Sequence, residues 1–264
     1  MPHDRKPGRV LLVGAGPGAA DLLTLRAYRM IQGAQALLYD VLVSDEVLAL
    51  APDVCVKIQT GKRAGRTSMR QETINWLMLR LARRGLEVVR LKGGDPSIFG
   101  RVGEEAAFLN AHGIETEVVP GVTAASAAAA QFGFPLTHRG AARRLMIATA
   151  TVQDGALVDG GWAAAADPET TLALYMGRDR LAEAADKLIA RGRAPGTPAI
   201  AVENAGRSDA RALSGRLDSL GATLAAANVT GPVVLIVGSV AAQASIPATS
   251  QDTPEPRQIL RSAQ

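Results

Sequence analysis

The chain has a single cysteine, Cys55, so no internal disulfide is possible. Cys55 sits inside an apolar run, residues 54–58, and reads as a buried, inert thiol. Three histidines without close spacing, beside that one cysteine, argue against a metal site. His138 reads as a polar loop residue rather than a ligand. Aromatic residues make up only 3% of the 264. That leaves no stacking platform for single-stranded nucleic acid. The net charge is +4, but the positive residues are scattered arginines with no dense basic arm. This permits an anionic partner without naming one, and nucleic acid is not expected. Long apolar runs are also lacking. The polar start MPHDRKPGR leads into a short run, residues 10–13, that glycines interrupt at once. That is neither a signal peptide nor a membrane span, so the expectation is a cytoplasmic protein with no membrane partner.

What is present is a globular composition, 47% hydrophobic and 20% charged. The first half alternates strand and helix patterns, which implies a mostly parallel sheet with helices on its faces. Strands are expected at residues 10–13, 36–39, 54–58, 88–91 and 115–119. Helices are expected at 22–31, 70–84, 103–111 and 124–130. The stretch VRLKGGDPSIFGR, residues 89–101, organises the rest. A buried strand stops abruptly at Gly93, Gly94, Asp95 and Pro96. The glycines let backbone approach a ligand, Asp95 places a carboxylate at the strand's carboxyl end, and Pro96 stiffens the loop. The loop TGKRAGRTSM, residues 60–69, reads either as a surface charge cluster or as a mobile basic loop over an anionic ligand.

Other readings compete. Gly14, Gly16 and Ala19 satisfy a loose dinucleotide fingerprint, with Pro17 suited to the first turn of a helix but lacking the N–H a pyrophosphate needs. In a nicotinamide-dependent oxidoreductase Asp40 would hold the ribose. Alternatively Asp40 is a catalytic carboxylate facing a cleft, or simply a turn cap. The pattern breaks at residues 134–140, where we place a boundary between an N-terminal α/β domain, 1–138, and a C-terminal α/β domain with a mixed sheet, 139–242. Strands there are expected near 145–149, 171–175, 199–203, 211–215 and 233–237, with helices near 180–190 and 217–226. Residues 154–168 read as a polar loop. The Ser/Thr/Pro/Gln-rich tail, 243–264, is expected to be disordered.

VGAGPG, LLTLRA, YDVLVS, GKRAG, VRLKGGDPSIFGR, PGVTAAS, PLTHR and YMG, in that order, resemble the uroporphyrinogen-III C-methyltransferase family of tetrapyrrole methylases. The resemblance covers roughly residues 10–241. It implies two α/β domains with an active site in the cleft between them, in a homodimer. It implies methyl transfer from S-adenosylmethionine to two ring carbons (2 and 7) of uroporphyrinogen III. The products would be precorrin-1 and then precorrin-2, with S-adenosylhomocysteine released and no metal required. Carried over by motif, donor contacts fall on Pro17, Gly93, Gly94, Asp95, Ile98, Thr123, Ala124, Met176 and Ala205. The general base falls on Asp40 and the proton donor on Lys62. Substrate-binding positions fall on Arg101, Glu104 and Arg139; arginine suits a substrate with eight carboxylates because it pairs with each bidentately. Two departures stand out. Thr67 replaces the family's histidine after GKRAG-x, and Thr149-Ala150-Thr151 replaces a Thr-Gly-His run. They raise the alternative of a methyltransferase acting on a later precorrin.

Overall fold

The computed structural model describes residues 6–61, 69–150, 152–153, 156–157 and 162–246. The first half runs β1 (Val10–Gly14), α1 (Leu25–Gln32), β2 (Ala36–Tyr39), α2 (Asp45–Leu48), β3 (Val56–Gln59), α3 (Gln71–Arg83), β4 (Val88–Lys92), α4 (Val102–Ala111), β5 (Thr116–Val119) and α5 (Ala124–Gln131). Its sheet has the order β3-β2-β4-β1-β5, and every pairing is parallel. Parallel strands covered on both faces need continuous apolar runs, and Val10, Leu11, Leu12 and Val13 of β1 are fully buried. Each such side chain contributes about 1.5–3 kcal/mol by leaving water. On α3 the stripe of Ile74, Met78 and Leu81 packs under the sheet beside Val88 and Leu109.

The second half runs β6 (Arg144–Thr149), a small hairpin of β7 (Val152–Gln153) and β8 (Ala156–Leu157), α6 (Trp162–Ala166), β9 (Thr170–Tyr175), α7 (Leu181–Ala190), β10 (Pro198–Glu203), β11 (Arg211–Arg216), α8 (Leu220–Ala226) and β12 (Val233–Val237). The sheet order is β11-β10-β12-β9-β6. Only β6 and β9 pair in parallel; the other three pairings are antiparallel. The alanine-rich α5 lies on this second sheet: Ala125 and Ala128 share a core with Ala173, Val202, Val234 and Ile236. Small side chains let the helix approach the strands closely. The chain thus forms two α/β layers, and α5 crosses from the first sheet to cover the second.

Several expectations need correction. The helix expected over 22–31 is a 3-10 turn, Ala20–Leu22, followed by α1. The side chain of Thr24 sets the start of α1 by accepting the Ala27 amide at 3.1 Å. Pro17 therefore lies in the loop after β1 and opens no helix. β3 begins two residues late, and Val54 is exposed. The expected polar loop at 154–168 contains α6, whose Trp162 and Ala165 are buried against Leu172 and Leu188; one turn of alanines carries no periodicity by which to see it. At the far end a 3-10 turn spans Ser239–Gln243, and the Ser245 amide donates to the Phe132 carbonyl at 2.9 Å. Residues 247–264 of the tail lie outside the described residues. No helix among the described residues is long and apolar enough to cross a membrane.

Candidate active site

The carboxyl ends of β1, β4 and β5 converge so tightly that only glycine fits. A Cβ on Gly121 would lie 2.2 Å from the Gly94 carbonyl oxygen, and one on Gly14 would lie 2.7 Å from the Gly121 Cα. Gly16 and Gly94 clasp the first two loops as an isolated bridge, with N–H to O distances of 3.2 and 2.7 Å, and both have positive φ. This clasp also answers the dinucleotide reading. The Ala15 and Gly16 amides are spent on Lys92 and Gly94 carbonyls, and only the three-residue 3-10 turn Ala20–Leu22 follows the fingerprint. A pyrophosphate would find those two amides already taken and no α-helix N-terminus at the fingerprint.

Two aspartates fasten these loops. Asp40, just past β2, accepts the Leu42 amide at 3.0 Å and the Gly93 amide at 3.2 Å. It is therefore a turn cap and also a carboxylate on the cleft wall. Asp95 accepts the Ser97 amide at 2.8 Å, the Gly121 amide at 3.0 Å and the Ser97 hydroxyl. Burial pushes the Asp95 carboxyl up, but those three donors outweigh it and hold it below the usual carboxylate value.

Beneath the loops lies a buried charge cluster. Glu105 is 0% exposed and accepts both Lys92 Nζ contacts, at 2.8 and 2.9 Å, Arg90 Nε at 3.3 Å and Gln71 at 3.0 Å. Arg90 also donates to the Thr60 hydroxyl at 3.0 Å. Burial lowers the Lys92 pKa, Arg90 adds repulsion, and Glu105 opposes both.

The second sheet supplies side chains. The Tyr175 hydroxyl accepts the Ala125 amide at 2.8 Å and pairs with the Thr123 hydroxyl at 2.6 Å. It thereby caps α5 from the end of β9. Burial raises this phenol's pKa, with Thr123 opposing, so it stays protonated at neutral pH. Among the described residues five non-glycines have positive φ, and four of them, Phe99, Arg101, Met176 and Asn204, line one cavity. Strained backbone of this kind gathers at ligand sites. Met176 is 64% exposed at its mouth.

That cavity, about 320 Å³, lies between the two sheets. All nine positions carried over as donor contacts line it: Pro17, Gly93, Gly94, Asp95, Ile98, Thr123, Ala124, Met176 and Ala205. Asp40 and Arg101 line it too. Glu104 does not, and instead pairs with Arg101 through two hydrogen bonds of 2.9 and 2.6 Å. Arg139 is exposed on the turn closed by the His138–Ala142 bridge, away from the cavity lining. Lys62, Thr67 and Thr151 lie outside the described residues. Sequence reasoning missed Arg90, Lys92, Tyr175, Asn204 and Arg207 on the cavity wall. A signal existed for the first two. Charged residues inside a strand flanked on both sides must be partnered when buried.

The family model for Tetrapyrrole (Corrin/Porphyrin) Methylases matches residues 9–221. A uroporphyrinogen-III C-methyltransferase of Paracoccus denitrificans is 47% identical over 249 residues, covering 94% of this chain and 87% of that protein. A siroheme synthase of Chromobacterium violaceum is 46% identical over 89% of this chain, which spans only 50% of that longer relative. Among solved structures, the uroporphyrin-III C-methyl transferase of Thermus thermophilus complexed with S-adenyl homocysteine superposes with a TM-score of 0.75. It is 44% identical and covers 88% of this chain and 98% of its own. With the family's model spanning most of both sheets, the chain belongs to the tetrapyrrole (corrin/porphyrin) methylases.

Proposed function

We propose that this protein is an S-adenosylmethionine-dependent uroporphyrinogen-III C-methyltransferase that methylates ring carbons 2 and 7 in turn, giving precorrin-1 and then precorrin-2. The observation that carries this reading is the cavity itself, where eight donor-contact positions from four separate motifs, together with Ala205, meet around Asp40 from both sheets. A sheet's carboxyl edge is where α/β proteins bind small molecules, and the cavity's volume is at the lower end for a ligand pocket. A tetrapyrrole with eight carboxylates is larger than this space. The donor therefore fills the cavity, and the macrocycle lies across the mouth near Met176, Phe99 and Arg101.

The residues divide the work. Asp95 keeps the glycine loops closed against the donor's polar end, and its remaining lone pairs can still accept from it. The Asp40 carboxylate favours a nearby sulfonium. When bound, the sulfonium would supply an activated methyl group: the ring carbon would give the electron pair for the new C–C bond as the methyl–sulfur bond breaks, leaving its pair on sulfur as S-adenosylhomocysteine. The methylated macrocycle must then lose a proton, and Asp40 would accept it. Lys62 would act as proton donor or substrate contact. Arg101, held by Glu104, would exchange that partner for a substrate carboxylate, and Arg139 would take another. The two sheets would form the two domains, 1–138 and 139–242, within a homodimer.

An anaerobic assay with uroporphyrinogen III and S-adenosylmethionine, followed by mass and absorbance, tests this directly. The expected result is addition of two methyl groups. No methylation, with S-adenosylhomocysteine still bound, moves the substrate to a later precorrin, the alternative that Thr67 and Thr151 raise. No S-adenosylhomocysteine binding at all would overturn the reading.

A further inference from the structure

Arg207 belongs to none of the motifs discussed above, yet it reaches across the cleft. It follows β10 in the second half, and its side chain crosses to the first. Nη2 donates to the Leu42 carbonyl at 2.7 Å. The stem lies directly over Gly18, where a Cβ would be 2.3 Å from the Arg207 Cγ. Among the described residues its Nε is buried with no hydrogen-bond partner, and the residue lines the cavity. The backbone beneath it is fixed. Gln131 at the end of α5 accepts the Gly206 amide at 2.9 Å and donates to the Arg207 carbonyl at 3.0 Å. The Gly206 carbonyl accepts the Ala19 amide at 2.8 Å.

What Arg207 holds is the turn that aims Asp40. The Leu42 amide donates to one Asp40 oxygen at 3.0 Å, and its carbonyl receives Arg207. The other Asp40 oxygen is held by the Gly93 amide. A Cβ on Gly93 would lie 2.9 Å from the Leu42 Cβ, so the turn is wedged against the GGDP loop on one side and pinned by Arg207 on the other. The donors that orient Asp40 come from the first half, but the turn bearing one of them is anchored by the second.

We propose that Arg207 is a positioning residue: it aims the Asp40 carboxylate through Leu42 and makes that aim depend on the two halves being closed together. The inference rests on the reading that Asp40 accepts the substrate proton. Misplacement of a reacting group by about 1 Å costs up to a hundredfold in rate, so loss of this anchor acts mainly on kcat.

Arg207→Met keeps the stem over Gly18 and removes the donors. Expected is a fall in kcat of about tenfold or more, with the Kd for S-adenosylhomocysteine and the Tm little changed. In an Asp40→Asn background the same substitution should cost almost nothing further, because its target is already gone. Added guanidinium should restore part of the turnover of Arg207→Ala. Unchanged kcat in Arg207→Met, or an equal loss in the Asp40→Asn background, overturns the proposal while leaving the Asp40 reading intact. Full turnover in Asp40→Asn alone overturns both, and separates that failure from the first.

Discussion

The two sheets build opposite kinds of wall around the cavity. The first offers backbone: glycine loops in van der Waals contact at Gly14, Gly94 and Gly121, closed by two aspartates that accept main-chain amides. The second offers side chains, Tyr175, Met176, Asn204 and Arg207. Each wall stands on a buried glutamate used differently. Glu105 of α4 neutralises side chains of its neighbour strand, Arg90 and Lys92. Glu203 of β10 accepts the Thr230 and Gly231 amides at 2.8 and 2.5 Å and pairs with Arg211, while Arg178 grips the Thr230 carbonyl at 2.6 Å. The first wall's loops are rigid because side chains are missing at their junction, Gly14, Gly94 and Gly121. The second is rigid because polar clamps set the turns that bear its side chains. The first therefore tolerates no added atom, and the second no lost hydrogen bond.

The sharpest way to break this comparison is to remove the first wall's glutamate. Glu105→Ala leaves Arg90 and Lys92 buried without their shared partner, and a broken buried ion pair costs about 3–5 kcal/mol. Denaturant unfolding should show a loss of that size. A loss under about 1 kcal/mol would mean water enters and the cluster is no foundation.

Gly121→Ala comes next. The new Cβ meets the Gly94 carbonyl oxygen, a backbone atom that cannot rotate away. Overpacking of this sort costs about 1–3 kcal/mol, and the GGDP loop must shift to relieve it. Calorimetry should show a lower Tm together with loss of S-adenosylhomocysteine binding. A lower Tm with unchanged binding would separate the glycine junction from the ligand.

The first wall was largely legible in the sequence and the second was not. Strong apolar runs such as VLLV and VVRL announce strands, and GGDP announces a stop, because these are local signals of period and backbone freedom. Asp40 and Asp95 could be singled out because they stand at the ends of such runs. Tyr175 and Arg207 carry no local signal; their importance comes from Ala125, Thr123 and Leu42, which are 50, 52 and 165 residues away. Arg90 and Lys92 stand inside an apolar strand and so call for a partner, but nothing local names Glu105 of α4 as that partner. Helix α6 is too short to show a period. Resemblance to the family filled part of this gap, since it named Met176 and Ala205, but a motif cannot show that Asp95 is a staple between two loops.

Tyr175→Phe sharpens the contrast from the second side. It removes only the hydroxyl that caps α5 and holds Thr123, leaving the ring against Phe99 at 5.6 Å between centroids. A buried amide losing its acceptor costs about 1 kcal/mol. Unfolding should report a loss of that order, with weaker binding of S-adenosylhomocysteine through Thr123 and Ala124. No change in either would mean water replaces the hydroxyl.

The smallest effect expected is in the pH dependence of stability. Asp95 has a folded pKa below its ordinary value, because the Ser97 and Gly121 donors outweigh burial. Its ionised form is therefore bound more tightly in the folded state than in the unfolded chain. That contribution is fully present above the unfolded value, about 3.9, and disappears as pH falls through the folded one. Asp95→Asn keeps the shape but has no proton to gain. Its Tm should be lower than the wild-type value at neutral pH, and the two curves should converge as the medium is acidified below about pH 4. Curves that stay parallel throughout would mean that ionising Asp95 adds nothing to stability. The loop after β4 would then be held by the glycine junction alone, with no help from charge, and the first wall would owe its rigidity to missing side chains only.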